Sequence, residues 1–213
     1  MRTNAVIDTL VADLRPVRRH SLARDAALVA AVAGAELAWW LSAGFARDDF
    51  ADAIKHSSLR LKLVGLFAVA LLGTVTALTS LRPGAVPRRG LGRIVAASGV
   101  ALAIGCALDT GISSMTELAV RLDWHHGLMC LREMAALSLP PAIALGLIAC
   151  RGAPTDLGGT ALACGMGASG WGAFVFAFAC PSDDPLYIMV WYVLGCGLVT
   201  IAARTAVARL ARW

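Results

Sequence analysis

The sequence predicts an all-α integral membrane protein: a bundle of six transmembrane helices with a short amphipathic cytoplasmic helix at its N-terminus. Three observations carry this expectation. The 213 residues are 58% hydrophobic and only 15% charged, with a mean hydropathy of +0.71, too apolar for an ordinary soluble domain. Uncharged or nearly uncharged runs of about 20 residues recur six times, each long enough to cross a hydrocarbon core of about 30 Å. Finally, the basic residues fall in clusters between alternate runs, the pattern of membrane topology rather than of a nucleic-acid footprint, despite a net charge of +5.

The organisation expected is a cytoplasmic arm over residues 1–25, a six-helix membrane domain over 26–204 and a basic cytoplasmic tail over 205–213. In the arm, Val6, Ile7, Leu10, Val11 and Leu14 recur at helical spacing while Asp8, Thr9, Asp13 and Arg15 take the other side. Thr3 or Asn4 supplies a cap and Pro16 a stop. A helix of about three turns is marginal alone in water, so its apolar stripe requires a lipid surface, the membrane domain or a protein partner. The first apolar run begins only at Ala26, behind Asp8, Asp13 and Asp25, which fits a retained N-terminus better than a cleaved signal peptide.

The first span is expected over Ala26–Phe45, with Trp39 and Trp40 near an interface. It contains Glu36, an intramembrane carboxylate that is costly and therefore a functional candidate for proton or ion movement. The competing reading is a hydrogen-bonded glutamate that holds helices together. Arg47–Lys62 reads as a charged loop and Leu63–Leu81 as the second span. The next loop, RPGAVPRRGLGR over Arg82–Arg93, has four arginines and no acid, the strongest topology signal in the chain.

Ile94–Ile112 is the third expected span, with Asp109 near its end within reach of water. Ser113–Cys130 reads as the longest outer loop, with room for a short interfacial helix. Span four, Met134–Cys150, carries Pro140 and Pro141, which predict a kink. Span five, Gly158–Ala179, has Ala163/Gly167, Gly165/Ser169 and Ala168/Gly172 at small-xxx-small spacing and belongs in the middle of the bundle. A turn, CPSDDP over Cys180–Pro185, leads to span six, Leu186–Ala203. With six spans both termini share a side that holds thirteen of the 19 lysines and arginines, and that side is expected to be cytoplasmic.

Six cysteines divide by this topology. Cys106, Cys164 and Cys196 lie within spans and Cys150 at an inner end, where small packing residues are usual. Cys130 and Cys180 fall at the outer ends of spans four and five, where an oxidising compartment lets disulfides persist. A disulfide, two unrelated thiols and a metal site all remain open there. His125 and His126 stand in the same region as Cys130, but adjacent histidines point apart and match no compact ligand motif. The aromatic residues Trp124, Trp171, Tyr187, Trp191 and Tyr192 read as interfacial belts and packing. No phosphate loop, nucleophile–base pair or HExxH motif is present, so neither an enzyme nor a cofactor is expected.

Four stretches together carry a resemblance. IDTLVADLRPVRR from Ile7, CLREMAALSLPPAIALGLIACRGAP from Cys130, ACPSDDPLYIMVWYVLGCG from Ala179 and the closing ARLARW resemble the NrsF-like negative regulators of sigma factor. These are six-span inner-membrane anti-sigma factors for extracytoplasmic-function sigma factors of proteobacteria. The resemblance covers nearly the whole chain and keeps the order of its motifs, and the cysteine, proline, acidic pair and proline before an aromatic-rich span are its most specific part.

The resemblance implies a bacterial inner-membrane protein with both termini cytoplasmic, lipid and a sigma factor as partners, and no direct contact with nucleic acid. It implies that the cytoplasmic face sequesters the sigma factor until a periplasmic redox or metal stress releases it. The family's periplasmic cysteine pair maps onto Cys130 and Cys180. Where some relatives have His before the second cysteine this chain has Ala179, which favours thiol chemistry over metal. Within that picture Val6, Ile7, Asp8, Leu10, Val11, Asp13, Leu14 and Arg15 form the expected sigma-binding face. Two other classes compete: a small transporter or channel using Glu36, and a membrane thiol oxidoreductase using the outer cysteines.

Overall fold

The structure is a computed structural model, and it describes residues 11–12, 21–82, 84–109, 111, 114–152 and 154–210. These residues form eight helices, numbered here as α1 (Leu22–Ser42), α2 (Phe50–Ala53), α3 (Ser57–Thr79), α4 (Arg88–Leu108), α5 (Met115–Leu122), α6 (Trp124–Gly152), α7 (Leu157–Phe176) and α8 (Pro185–Leu210). Five of them, α1, α5, α6, α7 and α8, start on a side chain that accepts a hydrogen bond from an otherwise unpaired backbone N–H. Ser21 caps α1 by accepting from the N–H of Arg24 at 3.5 Å. Ser114 caps α5 through Glu117 N–H at 3.1 Å, and Asp156 caps α7 through Gly159 N–H at 2.9 Å.

Helices α1, α3, α4 and α8, and a fifth stretch containing α6, are long and apolar enough to cross a membrane. The sixth long helix, α7, is rich in glycine and alanine, and its place in the bundle explains why. It packs against α3, α6 and α8, and thirteen of its residues are buried. A helix enclosed by other helices needs close approach more than apolar bulk. At Gly73 of α3 an added Cβ would stand 2.4 Å from the backbone nitrogen of Gly167. Gly165 meets the Thr200 carbonyl of α8 and Gly172 the backbone of Ser138 in α6 at similarly short range. The small-residue stripe expected to sit at the centre is therefore where three neighbours reach the backbone of α7.

Several expected boundaries are corrected. The stretch read as a loop up to Lys62 is helical from Ser57, so Lys62 lies inside α3 and is buried. The stretch expected as the longest outer loop holds the short helix it had room for, α5, and continues as α6 from Trp124. Asp123, in the left-handed region at φ 31°, joins α5 directly to α6, and its carboxylate accepts from the N–H of His126 at 3.3 Å. His125, His126 and Cys130 consequently stand on the first two turns of a 29-residue helix. That helix stays helical through Pro140 and Pro141. Asp109 is not left to water but pairs with Arg121.

The six long helices alternate in direction. One end of the bundle gathers residues 43–56, 109, 114–123 and 177–184, joined by the pairs of Arg47 with Asp183 and of Arg121 with Asp109 and Asp184. The other gathers the start of α1, the loop between α3 and α4, the α6–α7 turn, where Thr155 donates to the Ala85 carbonyl at 3.4 Å, and the end of α8. Two apolar clusters match these ends, one around Met134, Trp191 and Tyr192 and one around Leu78, Leu145 and Ala161.

Candidate functional site

The end that gathers the connecting segments is organised around the turn from Cys180 to Asp184. Two prolines flank it and its sequence carries two adjacent acids, so its backbone carbonyls and carboxylates need donors from elsewhere. Those donors arrive from three parts of the chain. Arg47 holds Asp49 with both arms of its guanidinium, at 2.6 and 2.7 Å, and reaches Asp183 at 2.8 Å and the Cys180 carbonyl at 3.3 Å. Ser58 donates to the Asp183 carbonyl at 2.5 Å and Lys62 to the Ser182 carbonyl at 3.1 Å. Arg121 grips Asp184 through Nε at 2.7 Å and a terminal nitrogen at 2.6 Å, and also binds Asp109.

Asp184 is held well below the usual carboxylate range, first by its hydrogen bonds from Arg121. A carboxyl lowered in the folded state contributes stability that is whole above its unfolded value of about 4 and is lost as pH falls through the folded one. Arg121→Met is therefore expected to lower the thermal midpoint at pH 7 and to flatten the loss of stability on acidification. Thermal unfolding followed between pH 7 and pH 3 checks this, and parallel profiles for the two proteins would contradict it.

Beneath the turn the structure brings Cys130 and Cys180 together. Both are buried, at 4% and 0% exposure, both thiols are free, and they share one buried cluster, close enough for each to act on the other's charge. Cys130 reaches the turn from the second turn of α6, which Gly127 makes possible. Its α-carbon faces the ring of Trp191, where a Cβ would lie 2.0 Å from the indole. Trp191 in turn donates from Nε1 to the Leu122 carbonyl at 2.6 Å, tying α8 to the α5–α6 junction.

Three groups that the sequence reading placed elsewhere complete the site. Tyr187 exchanges a 3.0 Å hydrogen bond with Cys130 Sγ. Tyr192 is buried next to Cys180, with no hydrogen-bond partner for its hydroxyl. The ammonium of Lys62 sits 4.7 Å from the centre of the Tyr192 ring. The Cys180 thiol is held below its ordinary value, first by the hydrogen bond from Cys130 and then by the Lys62 charge, against the opposing effect of burial. A lowered thiol beside a second thiol is the arrangement from which a disulfide forms by loss of two protons and two electrons.

The other expected sites lie apart. His126 pairs through Nδ1 with Asp123 at 2.6 Å, and both histidines face outward. Among the described residues no three of His, Cys, Asp and Glu gather in a metal-binding geometry. Glu36 accepts a 3.1 Å hydrogen bond from Trp171 Nε1, while its second oxygen is buried without a partner. Of the sigma-binding candidates, Val11 is described, is helical and is exposed. Val6, Ile7, Asp8, Leu10, Asp13, Leu14 and Arg15 lie outside the described residues.

The chain was compared with known proteins. A family model described as negative regulator of sigma F matches residues 10–213. The anti-sigma-F factor NrsF of Caulobacter vibrioides (strain NA1000 / CB15N) is 30% identical over 221 aligned positions, covering 100% of both chains. No solved structure matches.

Proposed function

The chain belongs to the NrsF family, the negative regulators of sigma F, and from that premise we propose that it is an inner-membrane anti-sigma factor. Its cytoplasmic arm, with Val6, Ile7, Leu10, Val11 and Leu14 as apolar contacts and Asp8, Asp13 and Arg15 setting charge, holds an extracytoplasmic-function sigma factor away from RNA polymerase. Its periplasmic signal is oxidative, with metal capture as the second candidate, and is received at Cys130 and Cys180. The protein acts as a regulator rather than as a catalyst.

The observation that supports this reading best is the burial of two free thiols in contact, at the end of the bundle opposite the start of α1. The thiols sit on different elements, α6 and the α7–α8 turn, so a bond between them changes how those elements meet. The turn is also gripped by Arg47, Ser58, Lys62 and Arg121, so a local change there is felt by α3 and α5. A signal of this kind works only if it favours the released state over the bound one.

Co-purification of the detergent-solubilised protein with its host's sigma factors tests the proposal. The full chain is expected to retain a single sigma factor, a chain lacking residues 1–20 to retain none, and a mild thiol oxidant to release it from the wild type but not from Cys180→Ser. Retention of no sigma factor by either chain would overturn the assignment. Release from Cys180→Ser equal to that from the wild type would remove the cysteine pair from the mechanism.

A further inference from the structure

Alongside the cysteine pair, α3, α4 and α8 enclose a groove of about 430 Å³, within the roughly 300–1,000 Å³ of small-molecule sites. Leu61, Gly65, Ala101, Gly105, Met189 and Val193 are among its apolar walls, and Ser169 of α7 is at its floor. It exists because α4 is loosely seated: Ile94 and Gly105 are its buried residues, and it packs chiefly on α3. The groove stays open sideways, where Val193 and Ile201 are half exposed or more. Along α8 it runs from Pro185 to Ile201, roughly 24 Å at 1.5 Å per residue, longer than one leaflet of a core about 30 Å thick.

The groove has a polar end, formed by Lys62 and Tyr192. Lys62 is 4% exposed and its ammonium has three donors to satisfy. It has one carbonyl acceptor, Ser182, the face of Tyr192 and the Cys180 sulfur beside it, and among the described residues no carboxylate lies within ion-pair distance of it. Asp183 acts on it from farther away, with one carboxylate oxygen bound to Arg47 and the other buried without a hydrogen-bond partner. The Tyr192 hydroxyl is buried too, with the Cys180 sulfur as its polar neighbour and no oxygen acceptor. A buried cation and a buried hydroxyl lining an apolar slot together call for a compact anion that carries its own apolar chain.

We propose that this groove binds a long-chain fatty acid, with the acyl chain between α3, α4 and α8 and the carboxylate on Lys62 Nζ and the Tyr192 hydroxyl. The small exposure of Lys62, 4%, selects a carboxylate over a bulkier phospholipid headgroup. On the reading of Cys130 and Cys180 as the sensing pair, the bound carboxylate draws the ammonium away from Cys180 and slows its reaction with thiol reagents. Occupancy of the groove would then set the threshold of the switch.

The test is photolabelling of the full chain in phosphatidylcholine nanodiscs with a diazirine analogue of palmitate, followed by peptide mapping. Sigma factor is absent, so the outcome is independent of the anti-sigma assignment. Labelling is expected on α3, α4 and α8 beside the groove, competed by palmitate at least tenfold better than by methyl palmitate. Lys62→Arg should retain it, Lys62→Gln should lose it at least tenfold, and Ala101→Trp should block it by filling the slot. Equal competition by the methyl ester, or displacement by phosphatidylglycerol and not by palmitate, would overturn the proposal. The competition arms use wild-type protein, so they decide the matter even if Lys62→Gln fails to fold.

Discussion

Replacing Gly167 with leucine is expected to leave no stable bundle. A Cβ at that position would stand 2.8 Å from the backbone nitrogen of Thr74 and 3.1 Å from the carbonyl carbon of Gly73, so the obstacle is main chain rather than a side chain able to turn aside. Helix α3 would have to withdraw along its length, which would also open the neighbouring approach of Gly170 to Ala70, a 2.8 Å distance for an added Cβ. Overpacking costs about 1–3 kcal/mol where side chains can yield, and here the cost is expected to reach at least about 3 kcal/mol against a total stability of roughly 5–15 kcal/mol. The measurement is the thermal midpoint and the monodisperse yield in detergent. Gly99→Leu, at a position with nothing within 4 Å, should fold nearly as well as the wild type, and equal behaviour of the two variants would remove the central role given to the α3–α7 crossing.

The second large effect is expected in the arm. Leu10→Asp with Leu14→Asp should free the sigma factor while leaving the membrane domain inserted and folded. Each leucine buried at an interface contributes about 1.5–3 kcal/mol, and a carboxylate in its place must be desolvated or left out of contact. The pair together should cost about 4 kcal/mol or more, close to a thousandfold in affinity at 1.4 kcal/mol per decade. Affinity of purified sigma factor for the detergent-solubilised variant measures it, with thermal stability of the bundle as the control. Unchanged affinity would move the binding surface away from residues 6–15.

Much of this architecture is legible in the residues. Apolar runs mark the long helices, and the glycine and alanine spacing marks α7 as central, because both follow from a period and a volume that the sequence carries. Boundaries are less legible where charge lies on a helix. Lys62 follows Arg60 and Leu61 in a stretch that reads as a loop by its charge, yet it stands four residues after Ser58 on one helical face, and both reach the Cys180–Asp184 turn. Tyr187 and Tyr192 read as an interfacial belt because a phenol at a helix end looks the same whether it meets a headgroup or a thiol.

A signal for the missing partners did exist. The adjacent acids Asp183 and Asp184 between two prolines demand cations, and Arg47, Lys62 and Arg121 are three of the six basic residues expected on that side. Which cation meets which acid depends on how distant helices pack, and no local pattern encodes that. The contact of Cys130 with Cys180 depends likewise on the α6–α8 seam, where Trp191 lies over Gly127.

The position of Cys180 in the chain also governs how the protein is made. Fifty residues separate it from Cys130, and at the roughly 5–20 residues per second of synthesis the first cysteine emerges about 3–10 s before the second. Arg47, Ser58, Lys62 and Arg121 all precede the turn they grip, so the donors are synthesised before the acceptors they meet. Cys130 spends those seconds without Cys180 and without the Tyr187 hydroxyl that later covers it. The α7–α8 hairpin, made after it, is the part of the chain that closes it off.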